Sequence, residues 1–249
     1  MRFQDHVVIV TGGSSGIGAA TAAAFVQEGA RVCITGRNPE RTETVAREVG
    51  AVDFGLGDIC DPDYCREYVS KTAEREGRLD VLVNNAGTIV REDTVDTTDT
   101  QWRDTMAVNV DAVFYMSREA LRVMRAQKSG AIVNLSSTCG LVGTKGLTAY
   151  CASKGAVSLM TQAMALDCAS DGIRVNAVCP GATDTPMLFS AHKVCPTRDE
   201  MDEVQCRTVP MQRMARPEEI VQVILFLASS HAGYVTGALL PVDGGYICQ

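Results

Sequence analysis

The chain lacks the features that would place it in a membrane, on nucleic acid or around a structural metal. No apolar run approaches the ~20 residues that a membrane helix needs; both the run after Asp5 and His6 and the later stretch Ile220 to Leu227 are far too short. The first of these is also too short for the apolar core of a secretory signal, so the sequence reads as cytoplasmic. Basic charge is scarce, with 23 Lys and Arg against 30 Asp and Glu and a formal charge of −7, so no general field draws in phosphate backbones or anionic lipid. Neither nucleic acid nor a membrane is expected as a partner. Ten cysteines include no CxxC pair and no Cys/His cluster with zinc spacing, so no metal is expected. Cys60 and Cys65, the closest pair, read as two reduced thiols.

Internal repeats, low-complexity tracts and Ser/Gly linkers are also missing, so residues 1–249 read as one domain, a length common for α/β folds. With 46% hydrophobic and 21% charged residues, the chain can bury a sizeable core and is not disordered.

What is present is alternation. β-branched runs at 6–10, 31–35, 80–84, 131–136, 173–178 and 238–242, with a weaker one near Val52 to Leu56, are separated by helical patterns. That pattern predicts βαβ units around a buried parallel sheet. Gly29 suits the position just past the first helix, and Pro39, Pro62 and Pro217 suit the first turns of three others. Pro180 to Met211 breaks the alternation: it has three further prolines, a charged RDEMDE cluster and only weak helical periodicity. It reads as a long functional connection, with a substrate lid at about 182–210.

TGGSSGIG at 11–18 directly follows the first strand and opens the first helix. In that context glycines let the backbone approach a pyrophosphate, whose charge meets the free N–H groups of the helix N-terminus. The fold class is therefore a Rossmann-like, doubly wound parallel sheet with helices on both faces. The spacing Gly12, Gly16, Gly18 departs from the general dinucleotide fingerprint, and TGxxxGxG in this place resembles the short-chain dehydrogenase/reductase family. The resemblance covers nearly the whole chain, through RMARPEEI and the VTGALLPVDGG ending.

That resemblance implies a set of dinucleotide contacts: Gly12, Ser14, Ser15, Gly16, Ile17 and Gly18 at the phosphates, Asp58 and Ile59 at the adenine, and Asn85, Ala86 and Gly87 of NNAG beside the adenosine. Read alone, NNAG is a turn in which asparagine bonds its own backbone, and Asp58 is a helix N-cap, although Asp61 before Pro62 is the better one. PGATDTPM at 180–187 matches the family's PGxxxTPM, which implies that Pro180, Gly181, Thr183 and Thr185 meet the nicotinamide carboxamide. At the end of the second strand, Gly36 and Arg37 stand where an acidic residue would bond a ribose 2′-hydroxyl. Arg37 could meet a 2′-phosphate through paired, charge-assisted bonds. NADP is favoured and NAD is the alternative, with Arg37 as a solvated charge the plain reading.

Tyr150 and Lys154 are four apart, on one face of a helix expected to start near Thr148. A phenol is a poor base at neutral pH, and an adjacent ammonium is expected to lower its pKa. The plain alternative is an amphipathic helix with one half-buried tyrosine and one exposed lysine. NLSSTCG at 134–140 puts hydroxyls at the carboxyl edge of the sheet, and the family's spacing selects Ser137, leaving Ser136 as a turn hydroxyl. The resemblance also assigns Asn109 a catalytic place, as a backbone distortion helping to hold a water that links Lys154 to solvent. Without the resemblance Asn109 would be a solvent-facing polar residue. Tyr150 and Lys154 are also expected to touch the cofactor.

The implied activity is NAD(P)(H)-dependent interconversion of a secondary alcohol and a ketone, with Tyr150 as acid/base. Two alternatives are a catalytically silent dinucleotide sensor and an epimerase or dehydratase using the cofactor transiently. The complete set Asn109, Ser137, Tyr150 and Lys154 argues against the first, and the lack of room for a second domain against the other. Substrate contacts are expected from residues 138–147 and Met187 to Arg207, including Leu141, Val142, Leu147, Met187, Leu188 and Phe189 with His192, Lys193 and Arg198. The sequence does not choose among steroid, sugar, polyol, acyl, sulfonate and cyclic alcohols. Members of the family form homotetramers, so a homotetramer or homodimer is implied.

Overall fold

The computed structural model describes residues 1–190 and 197–249. Seven strands run β1 Val7–Thr11, β2 Arg31–Gly36, β3 Asp53–Leu56, β4 Val81–Asn84, β5 Gly130–Leu135, β6 Ile173–Pro180 and β7 Leu239–Val242. They form one parallel sheet in the order β3-β2-β1-β4-β5-β6-β7. The helices are α1 Gly16–Gln27, α2 Pro39–Val49, α3 Pro62–Glu76, α4 Asp99–Met106, α5 Ala112–Gln127, α6 Thr148–Cys168, α7 Pro186–Phe189, α8 Arg198–Thr208 and α9 Pro217–Ala228.

The central strands are mostly apolar because helices bury both faces of the sheet. Along β1, Val8 and Val10 pack with Phe25 of α1 and Ile224 of α9, whereas Val7 and Ile9 pack with Val69 of α3, Met116 of α5 and Met164 of α6. This is the period of two expressed as a doubly wound sandwich. The starts and stops follow local chemistry. Asn38 and Asp61 cap α2 and α3 through side-chain bonds to Arg41 N and Asp63 N, each ahead of a proline in the first turn. Gly29 takes φ +89° just past α1, a left-handed backbone that only glycine adopts cheaply.

The connection after β6 differs from the sequence expectation. Instead of weak helical character, it holds the eleven-residue α8, started by a reciprocal cap in which Thr197 Oγ1 accepts from Glu200 N and Glu200 accepts from Thr197 N. Its polar composition hid a narrow apolar edge, since only Met201 of this helix is buried. His192 and Lys193 lie outside the described residues. All nine cysteines among the described residues are free thiols, Cys60 and Cys65 included. Among the described residues, no helix is long and apolar enough to cross a membrane.

Candidate active site

The strand order reverses between β1 and β4, and a cleft of about 550 Å³ opens above the carboxyl ends of the strands there. One side begins at the glycine turn. Gly12 has φ +61° and Gly16 φ +51°, and a Cβ on Gly12 would stand 2.9 Å from Ala86 Cα. Gly18 lies behind this turn, not in the cleft wall: a Cβ there would stand 2.3 Å from Gly12 O. Its smallness lets the helix pack against the loop.

NNAG holds that turn in place. Asn85 Nδ2 donates to Thr11 O at 3.0 Å and Gly12 O at 3.1 Å, and the Asn85 and Ala86 amides donate to Thr11 Oγ1. Asn84 Nδ2 reaches Asn134 Oδ1 and Ser117 Oγ, each at 2.9 Å, tying β4 to β5 and α5. Asn85 therefore fastens distant backbone and Asn84 distant side chains, rather than their own turn. With its exposed amides, small residues and helix N-terminus, this side fits a dinucleotide pyrophosphate.

Gly12, Ser14, Ser15, Gly16, Ile17, Arg37, Asp58, Ile59, Asn85, Ala86 and Gly87 all line the cleft. Asp58 accepts from Cys60 N at 3.0 Å, while the N-cap of α3 is Asp61. At the end of β2 a Cβ on Gly36 would meet Thr42 Oγ1 at 2.4 Å, so this position has no room for a carboxylate unless Thr42 moves. Exposed Arg37 follows it.

At the other end Ser137, Tyr150 and Lys154 come together from β5's edge and α6. Ser137 Oγ accepts from Cys139 N at 3.1 Å, which orients the hydroxyl and leaves its proton to donate. Lys154 is buried, not exposed as the plain helix reading has it; its Nζ donates to Leu135 O at 2.7 Å and lies 5.7 Å from the Tyr150 ring centre. Ser136 is structural, bonding Lys154 O at 3.0 Å and Ser158 Oγ at 2.8 Å.

The expectation that the ammonium lowers the phenol is corrected. Burial is the largest influence on Tyr150 and pushes its phenol above the usual range, against the opposing pull of the Ser137 hydroxyl and the Arg91 guanidinium. Burial also lowers the Lys154 ammonium to about 8. Both groups are thus biased toward their neutral forms by the same desolvation.

Asn109 is fully buried beneath the cleft, at the centre of a π-helical turn spanning Ala107–Asp111. Its amide pairs both ways with Thr88, accepting from N at 2.8 Å and donating to O at 2.9 Å, and also donates to Ser153 Oγ. It is neither a solvent-facing residue nor part of the cleft wall. Pro180, Gly181, Thr183 and Thr185 complete the far wall.

The expected substrate residues divide. Leu147, Met187 and Leu188 line the cleft, whereas Leu141 and Val142 do not. Phe189 turns into a small cluster with Met201 and Met214. Arg198 turns away from the cleft and pairs with Asp184 through both carboxylate oxygens. Ile89, Arg91 and Tyr246 of the cleft lie outside the expected ranges and Thr144 lies within them, while α8 contributes Met201, Val204 and Gln205 from the expected Met187 to Arg207 stretch and Thr208 just past it. The last four fall at i, i+3, i+4 and i+7, a helical stripe that the surrounding charges masked.

A family model described as enoyl-(acyl carrier protein) reductase matches residues 12–247. An NADP-dependent (R)-specific alcohol dehydrogenase of Lentilactobacillus kefiri is 40% identical, covering 100% of this chain and 99% of the relative. A galactitol 2-dehydrogenase of Cereibacter sphaeroides is also 40% identical, covering 98% of the chain and 96% of the relative. The solved structure of a levodione reductase superposes with a TM-score of 0.93 at 34% identity, over 98% of each chain. With the glycine turn, the NNAG anchor and the Ser137, Tyr150 and Lys154 cluster in place, the chain belongs to the short-chain dehydrogenase/reductase family of oxidoreductases, which use a nicotinamide dinucleotide.

Proposed function

We propose that this oxidoreductase interconverts a secondary alcohol and its ketone with NADP(H), using Tyr150 as acid/base, Ser137 to hold the substrate oxygen and Lys154 to support the phenol. The carrying observation is the meeting of Ser137, Tyr150 and Lys154 in a cleft that is also lined by the glycine turn at the start of α1.

The bound dinucleotide supplies or accepts hydride. Gly12, Ser14, Ser15, Gly16 and Ile17 would hold its phosphates, Asp58 and Ile59 its adenine side, and Pro180, Gly181, Thr183 and Thr185 its nicotinamide side. In reduction Ser137 donates a hydrogen bond to the ketone oxygen and Tyr150 transfers its phenolic proton to the same atom. In oxidation the phenolate takes the hydroxyl proton. Lys154 lines this end of the cleft and, as an ammonium, keeps two protons to donate after bonding Leu135 O. Asn109 acts through position: by pairing with Thr88 it fixes the loop that carries Gly87 beside Lys154, where a glycine Cβ would stand 3.5 Å from Nζ.

Arg37 together with the closed Gly36 position supports NADP over NAD. Ile89, Leu147, Met187, Leu188, Met201 and Val204 give the substrate side an apolar wall, with Thr144, Gln205 and Thr208 as polar points, which favours a substrate with a compact apolar body. The relatives include an alcohol dehydrogenase and a galactitol dehydrogenase, which supports an alcohol substrate. Exposed Phe114 on α5 and Leu159 and Leu166 on α6 support a homodimer or homotetramer through those helices, and the free thiols suit a reducing cytoplasm.

The test follows reduced-nicotinamide absorbance with NAD⁺ and NADP⁺ across polyol, cyclic, steroid, hydroxyacyl and sulfonated secondary alcohols. Turnover of one class, faster with NADP⁺, is expected. Dinucleotide binding without turnover of any of them would overturn the reading in favour of a sensor.

A further inference from the structure

One charged side chain on the substrate side of the cleft belongs to none of the motifs. Arg91 leaves the loop after β4 and lines the cleft. Its Nε donates to Ser190 O at 3.1 Å, and one terminal nitrogen donates to Leu188 O at 2.9 Å and Met187 O at 3.5 Å. These carbonyls belong to the end of α7 and the residue after it, where helical amides run out; Met187 O also accepts from Ser190 N and Oγ, so the bonds to Leu188 O and Ser190 O are the ones that Arg91 mainly supplies. A planar guanidinium reaches several carbonyls at once, which an ammonium on a flexible stem does not do in one fixed geometry. The residues so held include Met187 and Leu188, whose side chains line the cleft. Met187 also reaches the reacting end: a Cβ on Gly87 would stand 3.9 Å from Met187 Cε and 3.5 Å from Lys154 Nζ.

Arg91 lines the same cleft as Tyr150. The groups acting on that phenol are Cys139 and Ser137 from the turn after β5, Cys151 from α6, and Arg91 from the loop after β4. Lys154 lies beside the ring and has Cys179 of β6 and Cys139 near it. Burial and the two thiols oppose phenolate, while Ser137 and the Arg91 charge favour it.

We propose that Arg91 is a positioning residue: it clasps the Met187–Ser190 wall against the reacting end of the cleft and holds a positive charge in the cleft that Tyr150 lines. Its second role rests on the acid/base reading of Tyr150 given above; the clasp does not.

Two variants of the full chain separate the roles. Arg91→Lys keeps the charge and loses the fork, whereas Arg91→Gln loses both. In both, KM for the alcohol is expected to rise about tenfold, the scale of losing a charge-assisted bond, with cofactor affinity measured by fluorescence titration unchanged. Amide hydrogen exchange should quicken at Leu188 and Ser190 in both variants. The pH limb of alcohol oxidation is expected to move up by about half a unit in Arg91→Gln and to stay in Arg91→Lys, because a lost cation disfavours phenolate. Unchanged KM and unchanged exchange in both variants would overturn the clasp. A limb that moves equally in both variants, or in neither, would overturn the charge role. If the unaltered protein oxidises no alcohol, the acid/base reading and with it the charge role fail, while the exchange comparison still decides the clasp.

Discussion

Asn85 and Arg91 sit on the same loop after β4, yet they fasten two parts of the cleft that are built in opposite ways. Asn85 binds the backbone of Thr11 and Gly12, in a floor where missing Cβ atoms leave room for backbone to meet backbone. Arg91 binds the end of α7, in a wall held by long side chains, the Arg198–Asp184 pair and the Thr197–Glu200 cap. The floor is fixed by sterics, which tolerate little change and suit a constant ligand. The wall is fixed by exposed polar contacts of modest worth, so it can vary with the substrate.

Substitutions in the two regions should differ accordingly. The largest effect belongs to neither but to the group between them: Tyr150→Phe should cut turnover ~10³-fold or more while leaving cofactor affinity within about twofold, as expected for a lost acid/base. Steady-state rates and a fluorescence titration check this, and retained turnover would sink the acid/base assignment.

In the floor, Gly18→Ala forces a Cβ against Gly12 O and should cost about 3 kcal/mol, the upper range for overpacking. A thermal melt and a dinucleotide titration should both register it. A variant that melts and binds normally would show that the floor is softer than argued.

The pH dependence follows from the direction of the Tyr150 shift. Burial keeps the phenol protonated at neutral pH, which suits reduction. Oxidation needs phenolate, so its rate should climb about tenfold per pH unit from neutrality upward while reduction does not. Parallel profiles in the two directions would contradict this.

Arg37→Ala should raise KM for NADP about tenfold or more and leave NAD nearly unaffected, the scale of a charge-assisted phosphate contact. Equal effects on both cofactors would remove Arg37 from 2′-phosphate recognition. The smallest effect is expected in the wall: Arg198→Ala removes a pair whose arginine side chain is 59% exposed and should cost no more than ~1 kcal/mol in a melt. A larger loss would mean that the wall is as rigid as the floor.

The floor was readable from sequence because its signals are local. Gly12, Gly16 and Gly18 follow a strand and open a helix, and Pro39, Pro62 and Pro217 mark first turns whatever surrounds them. Tyr150 and Lys154 share a helix face by spacing alone. Arg91 carries no local signal, since its partners lie in a segment nearly a hundred residues away. Arg198 was misplaced among substrate contacts because its partner Asp184 is adjacent only in space. The cleft-facing stripe of α8 has the right period, but the five charged residues from Arg198 to Glu203 inclusive outweigh it in any local average.

The sequence by itself determined the doubly wound sheet, the glycine turn and the shared helix face of Tyr150 and Lys154, because alternation, backbone freedom and helical spacing act between near neighbours. The tertiary structure alone decided the protonation balance of that pair and the make-up of the substrate wall. Both depend on what surrounds a group: burial, not the neighbouring ammonium, set the direction in which Tyr150 shifts, and contacts between distant segments chose which side chains face the cleft.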